Sequence, residues 1–594
     1  MSPDLPPVAP SVTAELVGAL SPRLRKRLDA GVTKLLARPV TRDGATVRIA
    51  VDDETDVVLH APGGAVTGAD AIRCGCLLAP DCLHRAAAAS AAPVADAAPA
   101  QDPGENMDAP DGTAETETAG PVAQPGGDTE PETITPAQHA AARAVFDAAA
   151  AVLEAGTDGA GAVLQAELLH AAHTARLAGL PRASAAAVSV VTGVRAARAA
   201  DPGYRLAGLA DALAAVLGVA HGLPYATGPD LAELRGTVRR PYRPDGSLRL
   251  YGVFSEPVLT ATGYAGAVTW TADADGRLYT VSDVAPGGPT RASGAADRAV
   301  RIGDTALTHR ELSRAGLAVS GATVSPDGRL GAGAGVRAVR ASGAAWRDDP
   351  LDRLWAVPAA EQVTRALSGA QDLLFLEVTL TGTVRGATGD CLLADCAGVP
   401  LRLATAHDDP ALPCRDNLRL LAAATGSRLR IVARLVPGPR PRALLLATEH
   451  PTDPAARVDL GLDRLQHADL PPGALAAPPA TAGTGDGAPL HLLRRRVHQA
   501  VPGGRRVLTL AGNTPGDAAR LRGHGLATAA DLLDDLHAAA ADRTRDTFGR
   551  LLPADTGRFA RSWLAAAVYT DAVEQALCAH AWGAAGEEAM PART

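Results

Sequence analysis

Four side chains that can bind a metal ion crowd into the segment RCGCLLAPDCLHR, although the chain has only seven cysteines in 594 residues. Cys74, Cys76, Cys82 and His84 follow the spacing C-x-C-x5-C-x-H. Three thiolates and one imidazole are a standard tetrahedral ligand set for structural Zn²⁺, and four protein ligands leave no position open for water or substrate. The spacing therefore predicts one closed, structural zinc site. A chance cluster or a set of redox thiols is the alternative, although a redox pair would not need the histidine.

The spacing also predicts where these ligands lie in the local structure. C-x-C is tighter than the C-x2-C of common zinc knuckles and suits a strand end or a tight turn, where Gly75 would let the backbone bend. Pro80 and Asp81 then turn the chain back. This places Cys82 and His84 at the start of the following helix or just before it, where the helix N-terminus stabilises thiolate charge.

The residues CGCLLAPDCLH, preceded by two predicted strands and followed by an apolar helix, resemble the SWIM zinc finger, whose pattern is C-x-C, a variable gap and C-x-H. The resemblance covers roughly residues 45–90 and implies zinc binding by Cys74, Cys76, Cys82 and His84, with a DNA-binding or protein-binding role. SWIM fingers occur in chromatin-remodelling-type ATPases, in Mutator-like transposases and in uncharacterised actinobacterial proteins. This sequence departs from the first group because it has no G-x4-G-K-[ST] loop, so nothing in it supports ATP hydrolysis.

Size and composition predict several domains and a cytoplasmic location. A chain of 594 residues suggests three to five domains. The start, MSPDLPPVAPSVTAEL, has neither a basic beginning nor an apolar run, so no secretory signal is predicted. The most apolar segment, LAGLADALAAVLGVAHGL, is interrupted by Asp211 and His221, which favours a buried helix over a membrane span. Seven cysteines do not make a disulfide framework in so long a chain, so a reducing cytoplasm is the simplest compartment, and there clustered thiols more often indicate a metal site.

Changes in composition and periodicity along the chain predict a multidomain α+β protein. Its parts are a small zinc-stapled module of β-hairpin and helix, a helical bundle, a β-rich middle with an OB-like barrel, and a helical C-terminus. The predicted boundaries are 1–90 for the SWIM-like module with a basic N-terminal helix, 91–135 for a disordered acidic linker, 136–225 for a helical domain, 230–370 for a mixed β-rich domain, 371–452 for the OB-like β-barrel, 467–489 for a second linker and 490–590 for a helical C-terminal domain.

Two of these assignments depend on specific patterns. No lysine or arginine lies between Arg85 and Arg143, and the Pro-, Gly- and acid-rich segment between them cannot bury enough apolar surface to offset chain entropy. Residues 372–450 show three strand-like runs, a helical run and two more strand-like runs, which is the order of an OB-fold barrel. An unspecified β-rich domain is the alternative for that region.

A second candidate site, weaker than the first, is a row of basic residues before the finger. Arg23, Arg27, Lys34 and Arg38 are spaced by four, seven and four, so a single helix beginning at Ser21 would place them on one flank. Such a flank could contact the phosphates of a nucleic acid. An ordinary solvated helix face is the alternative.

Two hypotheses about function follow. The first is a non-catalytic zinc-binding protein that mediates macromolecular interaction through its SWIM-like finger, with no membrane and no small-molecule cofactor. Its partner would be DNA or a protein, and since the actinobacterial proteins that it resembles lie beside MoxR-type ATPases, the resemblance implies an ATPase system as one protein partner. The second is an enzyme with an unrecognised active site in residues 230–450. A deep polar cleft there, lined by titratable groups of perturbed pKa, would favour the enzyme.

Overall fold

The computed structural model describes residues 5–52, 55–95, 132–237, 243–260, 264–303, 305–333, 335–369, 371–386, 389–473, 479–481, 489–510, 515–544, 546–550, 552 and 554–584. Most of the predicted acidic linker, and much of the predicted linker at 467–489, lie outside these residues. The chain divides into two compact units. The first contains Met1–Arg239 and Ala488–Thr570, and the second contains Arg240–Gly487 and Asp571–Thr594. The predicted fold class, a multidomain α+β protein, is confirmed.

The first unit begins with a four-stranded antiparallel sheet and four short helices. Its elements are α1 (Pro10–Gly18), α2 (Pro22–Arg25), α3 (Leu28–Leu36), β1 (Val40–Asp43), β2 (Thr46–Ala50), β3 (Asp56–His60), β4 (Ile72–Cys74) and α4 (Leu83–Ala91). The strands follow each other in the order β1-β2-β3-β4. On β2, Val47 and Ile49 are buried while Arg48 is exposed, because side chains alternate between the two faces of a strand. The buried face packs with α1, α3 and α4 in one core.

The basic segment before this sheet does not form one helix, contrary to the prediction. Ser21 does cap its start, since the Ser21 side chain accepts a hydrogen bond from the backbone N–H of Leu24. The helix ends at Arg25, however, and a second one begins at Leu28. Like charges four residues apart destabilise a helix, and Arg23 and Arg27 would have been such a pair.

Five helices follow in the same unit. They are α5 (Pro136–Gly159), α6 (Ala162–Leu177), α7 (Pro181–Arg198), α8 (Leu206–Gly222) and α9 (Gly228–Arg235). Thr135 and Gln138 form a reciprocal capping box at the start of α5. In the described residues, one segment, Leu206–Tyr225, is long and apolar enough to span a membrane, a test that buried core helices also pass. Leu209, Leu213 and Leu217 on this segment are buried in the helical core.

The second unit begins with a five-stranded antiparallel sheet. Its elements are β5 (Arg243–Leu259), β6 (Tyr264–Ala272), β7 (Leu278–Pro286), α10 (Gly288–Ser293), α11 (His309–Leu312), β8 (Gly316–Val324), β9 (Arg337–Ala341), α12 (Arg353–Ala356) and α13 (Ala359–Leu367). The strand order is β7-β6-β5-β8-β9. The chain therefore leaves the sheet after β7 and returns beside β5, on the opposite side from β6.

The barrel follows in the same unit. Its elements are β10 (Leu373–Gly386), β11 (Gly389–Cys396), β12 (Val399–Thr405), α14 (Cys414–Leu421), β13 (Arg428–Leu435), β14 (Arg442–His450), β15 (Asp453–Asp459) and β16 (Ala480–Thr481). The long strand β10 pairs with β13 along its first half and with β11 along its second half, and the register shifts between Leu380 and Gly382. Strand β12 runs parallel to β14, and β14 pairs with β13. The sheet thus closes in the order β10-β11-β12-β14-β13, with a helix between the third and fourth strands, which is the topology of an OB-type barrel.

Four helices, α15 (His491–Leu510), α16 (Pro515–Gly523), α17 (Ala527–Ala541) and α18 (Thr556–Ala581), complete the sequence of elements. The predicted boundaries separate residues 136–225 from residues 490–590, whereas buried residues of both ranges share one core. Helices α5 and α15 approach closely at Gly156 and Gly504, which have φ angles of 67° and 62°. A Cβ atom at Gly156 would lie 2.4 Å from the backbone nitrogen of Gly504, so both the contact and the left-handed backbone require glycine there.

Candidate metal centre

The four predicted ligands converge in the first unit. The Sγ atoms of Cys74, Cys76 and Cys82 and a ring nitrogen of His84 all lie within 4.8 Å of one another. The Cys74 Sγ and the His84 Nδ1 are 3.6 Å apart. Ligand bonds of the usual length to a tetrahedral Zn²⁺ would hold a sulfur and a nitrogen about 3.6 Å apart. The cluster could therefore hold a metal ion, and it is the one such group among the described residues.

Local structure places each ligand as the spacing predicts. Cys74 is the last residue of β4. Cys82 is the N-cap of α4, and His84 lies in the first turn of that helix. The N-terminus of α4 offers partial positive charge to the thiolates. The strand end and the helix start therefore supply three of the four ligands, and Cys76 comes from the loop between them.

Gly75 has no special role in this geometry, contrary to the prediction. Its φ angle lies outside the left-handed region, and a Cβ atom there would meet no other heavy atom within 4 Å. The bend between the first two cysteines is therefore open to other residues. The Ala79–Pro80 peptide bond, farther along the loop, is cis.

The electrostatics of the cluster favour a cation. Burial raises the pKa of Cys74 to about 12; the backbone N–H of Cys76 acts against this increase, and the charge of Cys82 adds to it. Burial also raises the pKa of Cys82, although a hydrogen bond from the backbone N–H of Arg85 acts to lower it. At Cys76 burial acts in the same upward direction, but hydrogen bonds from the backbone N–H of Leu78 and from the other two thiols lower its pKa on balance. Three adjacent thiolates repel one another, and a divalent ion would remove that penalty.

A buried arginine, missed at the level of sequence, holds the loop in shape. The side chain of Arg85 is 7% exposed. Its guanidinium donates to the carbonyl oxygens of Ile72 and Pro80, each at 2.5 Å, and to that of Ala69. Two of these carbonyls, those of Ala69 and Ile72, precede the loop between Cys74 and Cys82, and that of Pro80 lies within it, so the guanidinium ties the loop to the segment before it. Since arginine supplies nearly all the positive charge of this chain, its presence at position 85 carried no signal by itself.

The loop presents two leucines to solvent. Leu77 is fully exposed, at 104% of its reference area, and the neighbouring Leu78 is 62% exposed. Both leucines follow Cys76 directly, so a metal bound by Cys76 would hold the backbone just before them in place. Adjacent apolar side chains in open solvent are a feature of binding surfaces. The pair was visible in the sequence as LL within a turn, which is unusual because turns favour polar residues.

The four basic residues of the weaker candidate site do not lie on one helix. Arg23 is in α2, Arg27 is the N-cap of α3, Lys34 is in its last turn and Arg38 follows its end. All four are exposed. A Cβ atom at Gly31 would lie 3.2 Å from the side chain of Leu83, so α3 packs closely against the start of α4, with Arg27 and Lys34 one turn to either side of this contact.

No family model matches the chain, and a search of the curated proteins found no match. The cluster is therefore interpreted from its own geometry.

The alternative hypothesis places an active site in residues 230–450. In this region a buried network joins two hydroxyl groups to a histidine. Ser255 Oγ lies 2.8 Å from Thr269 Oγ1, which lies 2.7 Å from His309 Nδ1. All three residues are completely buried. A hydroxyl–imidazole chain at zero exposure links strands β5 and β6 to helix α11. Cys391, Cys396 and Cys414 are likewise buried.

The buried histidine predicts a pH dependence of stability. Burial lowers the pKa of His309 to about 4, although the charge of Asp283 acts to raise it. The unfolded chain binds a proton near pH 6.5 and the folded chain does not, so this group makes the free energy of unfolding fall as the pH drops from about 6.5 towards 4. The loss from pH 7.5 to pH 5 should be on the order of 2 kcal/mol.

Urea unfolding of wild type and His309→Gln at both pH values measures this loss. Tryptophan fluorescence is a suitable probe because the second unit contains four of the five tryptophans. The variant should show the smaller decrease between the two pH values. Equal decreases in both proteins would mean that His309 is protonated as readily in the folded state as in the unfolded one.

Proposed function

We propose that the protein is a non-catalytic zinc-binding protein that mediates macromolecular interaction through its N-terminal module. The observation that carries this proposal is the closed cluster of Cys74, Cys76, Cys82 and His84, which holds a loop with two exposed leucines. Three cysteines and one histidine are the donor set that structural zinc favours. The resemblance to the SWIM finger supports the same identity for the metal and the same class of role.

A metal site with four protein ligands would contribute to function by stabilising the surface around it. Four protein ligands leave no coordination position for a substrate, so the chemistry of the metal would be confined to holding β4, the loop and α4 together. The exposed atoms of the loop are then the part available to a partner. Leu77 and Leu78 are apolar, which favours a protein partner with an apolar pocket over the phosphates of a nucleic acid.

The experiment is an affinity capture from the native host with the purified full-length protein as bait. We expect a protein partner to be retained by wild type, to survive nuclease treatment and to be lost with the double variant Leu77→Ser/Leu78→Ser. Both leucines are exposed, so the change should alter stability by no more than about 0.5 kcal/mol. Leu177→Ser is the matched control, because Leu177 is 76% exposed elsewhere in the same unit.

The outcomes separate the alternatives. A retained ATPase that depends on the two leucines would support a protein partner of the kind that the SWIM resemblance implies. Partners that disappear with nuclease would assign the module to nucleic acid, with Arg23, Arg27, Lys34 and Arg38 as the residues to test next. Equal capture by wild type and by the double leucine variant would overturn the role of the loop.

A further inference from the structure

Three arginines lie together on the outer surface of the barrel. Arg402 of β12 and Arg442 of β14 are direct partners across a parallel pair of strands. Arg440 is exposed in the turn that precedes β14. Side chains alternate between the two faces of a strand. The residues next to Arg402 and Arg442 face the barrel core, so these two arginines face outward. The neighbours buried in the barrel core are Leu401, Leu403, Ala443 and Leu445.

Unlike some arginines in the same unit, these three form no ion pair with a carboxylate of the described residues. Arg434 on β13, for example, binds Glu256 at 2.9 Å and Asp372 at 2.6 Å. Within the part of the chain that the structure describes, the Nε of Arg442 is also buried without a hydrogen-bond partner.

Two like charges directly opposite each other weaken a pair of strands. An anion bound between Arg402 and Arg442 would relieve this repulsion and supply an acceptor for the Nε of Arg442. Among the described residues of β11 and β12, Asp395 is the acidic residue on this outer face, and its carboxylate accepts a hydrogen bond from the backbone N–H of Gly398. The anion would therefore bind at the arginine end of the face and away from Asp395.

We propose that Arg402, Arg440 and Arg442 bind the phosphate backbone of a single-stranded nucleic acid. Guanidinium groups match phosphate in geometry and charge. The outer face of the second and third strands, with the turn between the fourth and fifth, is the surface through which OB-type barrels bind oligonucleotides. In this barrel that surface contains β11, β12 and the turn with Arg440.

The residues beside the arginines determine which contacts a bound nucleic acid could make. Leu393 is the cross-strand partner of Arg402, and Leu444 follows Arg442 on the same outward side. Both are partly buried because they pack against Val384, Cys391 and Ala404, so they offer bases a small apolar contact without aromatic stacking. Contacts with phosphate should therefore dominate, which gives binding that depends strongly on salt and weakly on sequence.

The test is fluorescence anisotropy of the full-length protein with a labelled oligothymidylate of about 20 nucleotides, titrated between about 50 and 200 mM salt. Three phosphate contacts predict a slope of about −2 in a plot of log K against log salt concentration. The variant Arg402→Gln/Arg442→Gln should bind about tenfold more weakly or worse, with a slope of about −0.7. Arg402→Lys/Arg442→Lys should keep most of the slope, because it keeps both charges.

Arg337→Gln/Arg365→Gln is the matched control, since it removes two exposed arginines from the same unit and should leave the affinity and slope unchanged. The double leucine variant of the metal loop should also bind the oligonucleotide normally, so that this site and the proposed function of the module can fail separately. An unchanged slope in the Arg402/Arg442 glutamine variant, an equal loss in the control, or equal affinity for a duplex would overturn the proposal.

Discussion

Removal of the metal is expected to unfold residues 40–90 of the purified protein, while the second unit keeps its structure. Structural zinc sites contribute an apparent binding free energy of about 10–16 kcal/mol, and a typical domain unfolds at a cost of about 5–15 kcal/mol in total. Two of the elements that build the module, β4 and α4, are joined by the cluster. Loss of the ion leaves three adjacent thiolates, which either repel one another or take up protons, and the sheet loses its edge strand.

Elemental analysis should find one equivalent of zinc per chain, and hydrogen exchange before and after chelation should locate the unfolding. Cys74→Ser is expected to lose the metal and to show the same loss of protection at residues 40–90. Cys391→Ala is the control, because Cys391 is buried in the barrel outside the cluster and its loss should leave the stoichiometry at one. Protection at residues 40–90 that survives complete removal of metal would contradict the structural role, and a different resident metal would contradict the assignment to zinc.

The convergence of the four possible metal ligands could be predicted because a tetrahedral metal site restricts both residue type and spacing. A tetrahedral centre needs four donors in a small volume, and the strand-like run before Cys74 and the helical run after Cys82 indicated which elements would carry them. The order of the barrel strands was also predictable, because each strand shows its own apolar alternation and α14 interrupts the series at one place.

Other features depend on contacts that a sequence does not display. The helices before and after the β-rich region share one core, and their alanine-rich faces do not specify which helix each one meets. The close approach of Gly156 and Gly504 becomes visible only when α5 and α15 are side by side. The break between α2 and α3 was missed because helical periodicity continues through a segment in which charge repulsion disfavours the helix.

Arg85 shows the same limit at the level of a single side chain, and its replacement is the second large effect that we expect. The guanidinium is buried and donates to the carbonyls of Ala69, Ile72 and Pro80. Alanine would leave three carbonyl oxygens without this donor, and each buried acceptor left without a partner costs about 1–3 kcal/mol. Three thiolates around a divalent ion carry a net charge of −1. Replacement of Arg85 would also remove the positive charge that lies near this centre. We expect the module to lose about 3–5 kcal/mol of stability.

The rate at which a chelating dye extracts the metal reports this change without requiring the variant to unfold fully. Arg85→Ala should release the metal much faster than wild type. Arg85→Lys should be intermediate, because one ammonium group cannot span the three carbonyls that a planar guanidinium reaches. Arg73→Ala is the matched control: Arg73 lies in β4 next to Cys74, but it is exposed and its side chain donates to the carbonyl of Asp70 at 3.2 Å. If Arg85→Ala and Arg73→Ala release the metal at the same rate, the buried guanidinium does not hold the loop, and the four ligands alone determine its shape.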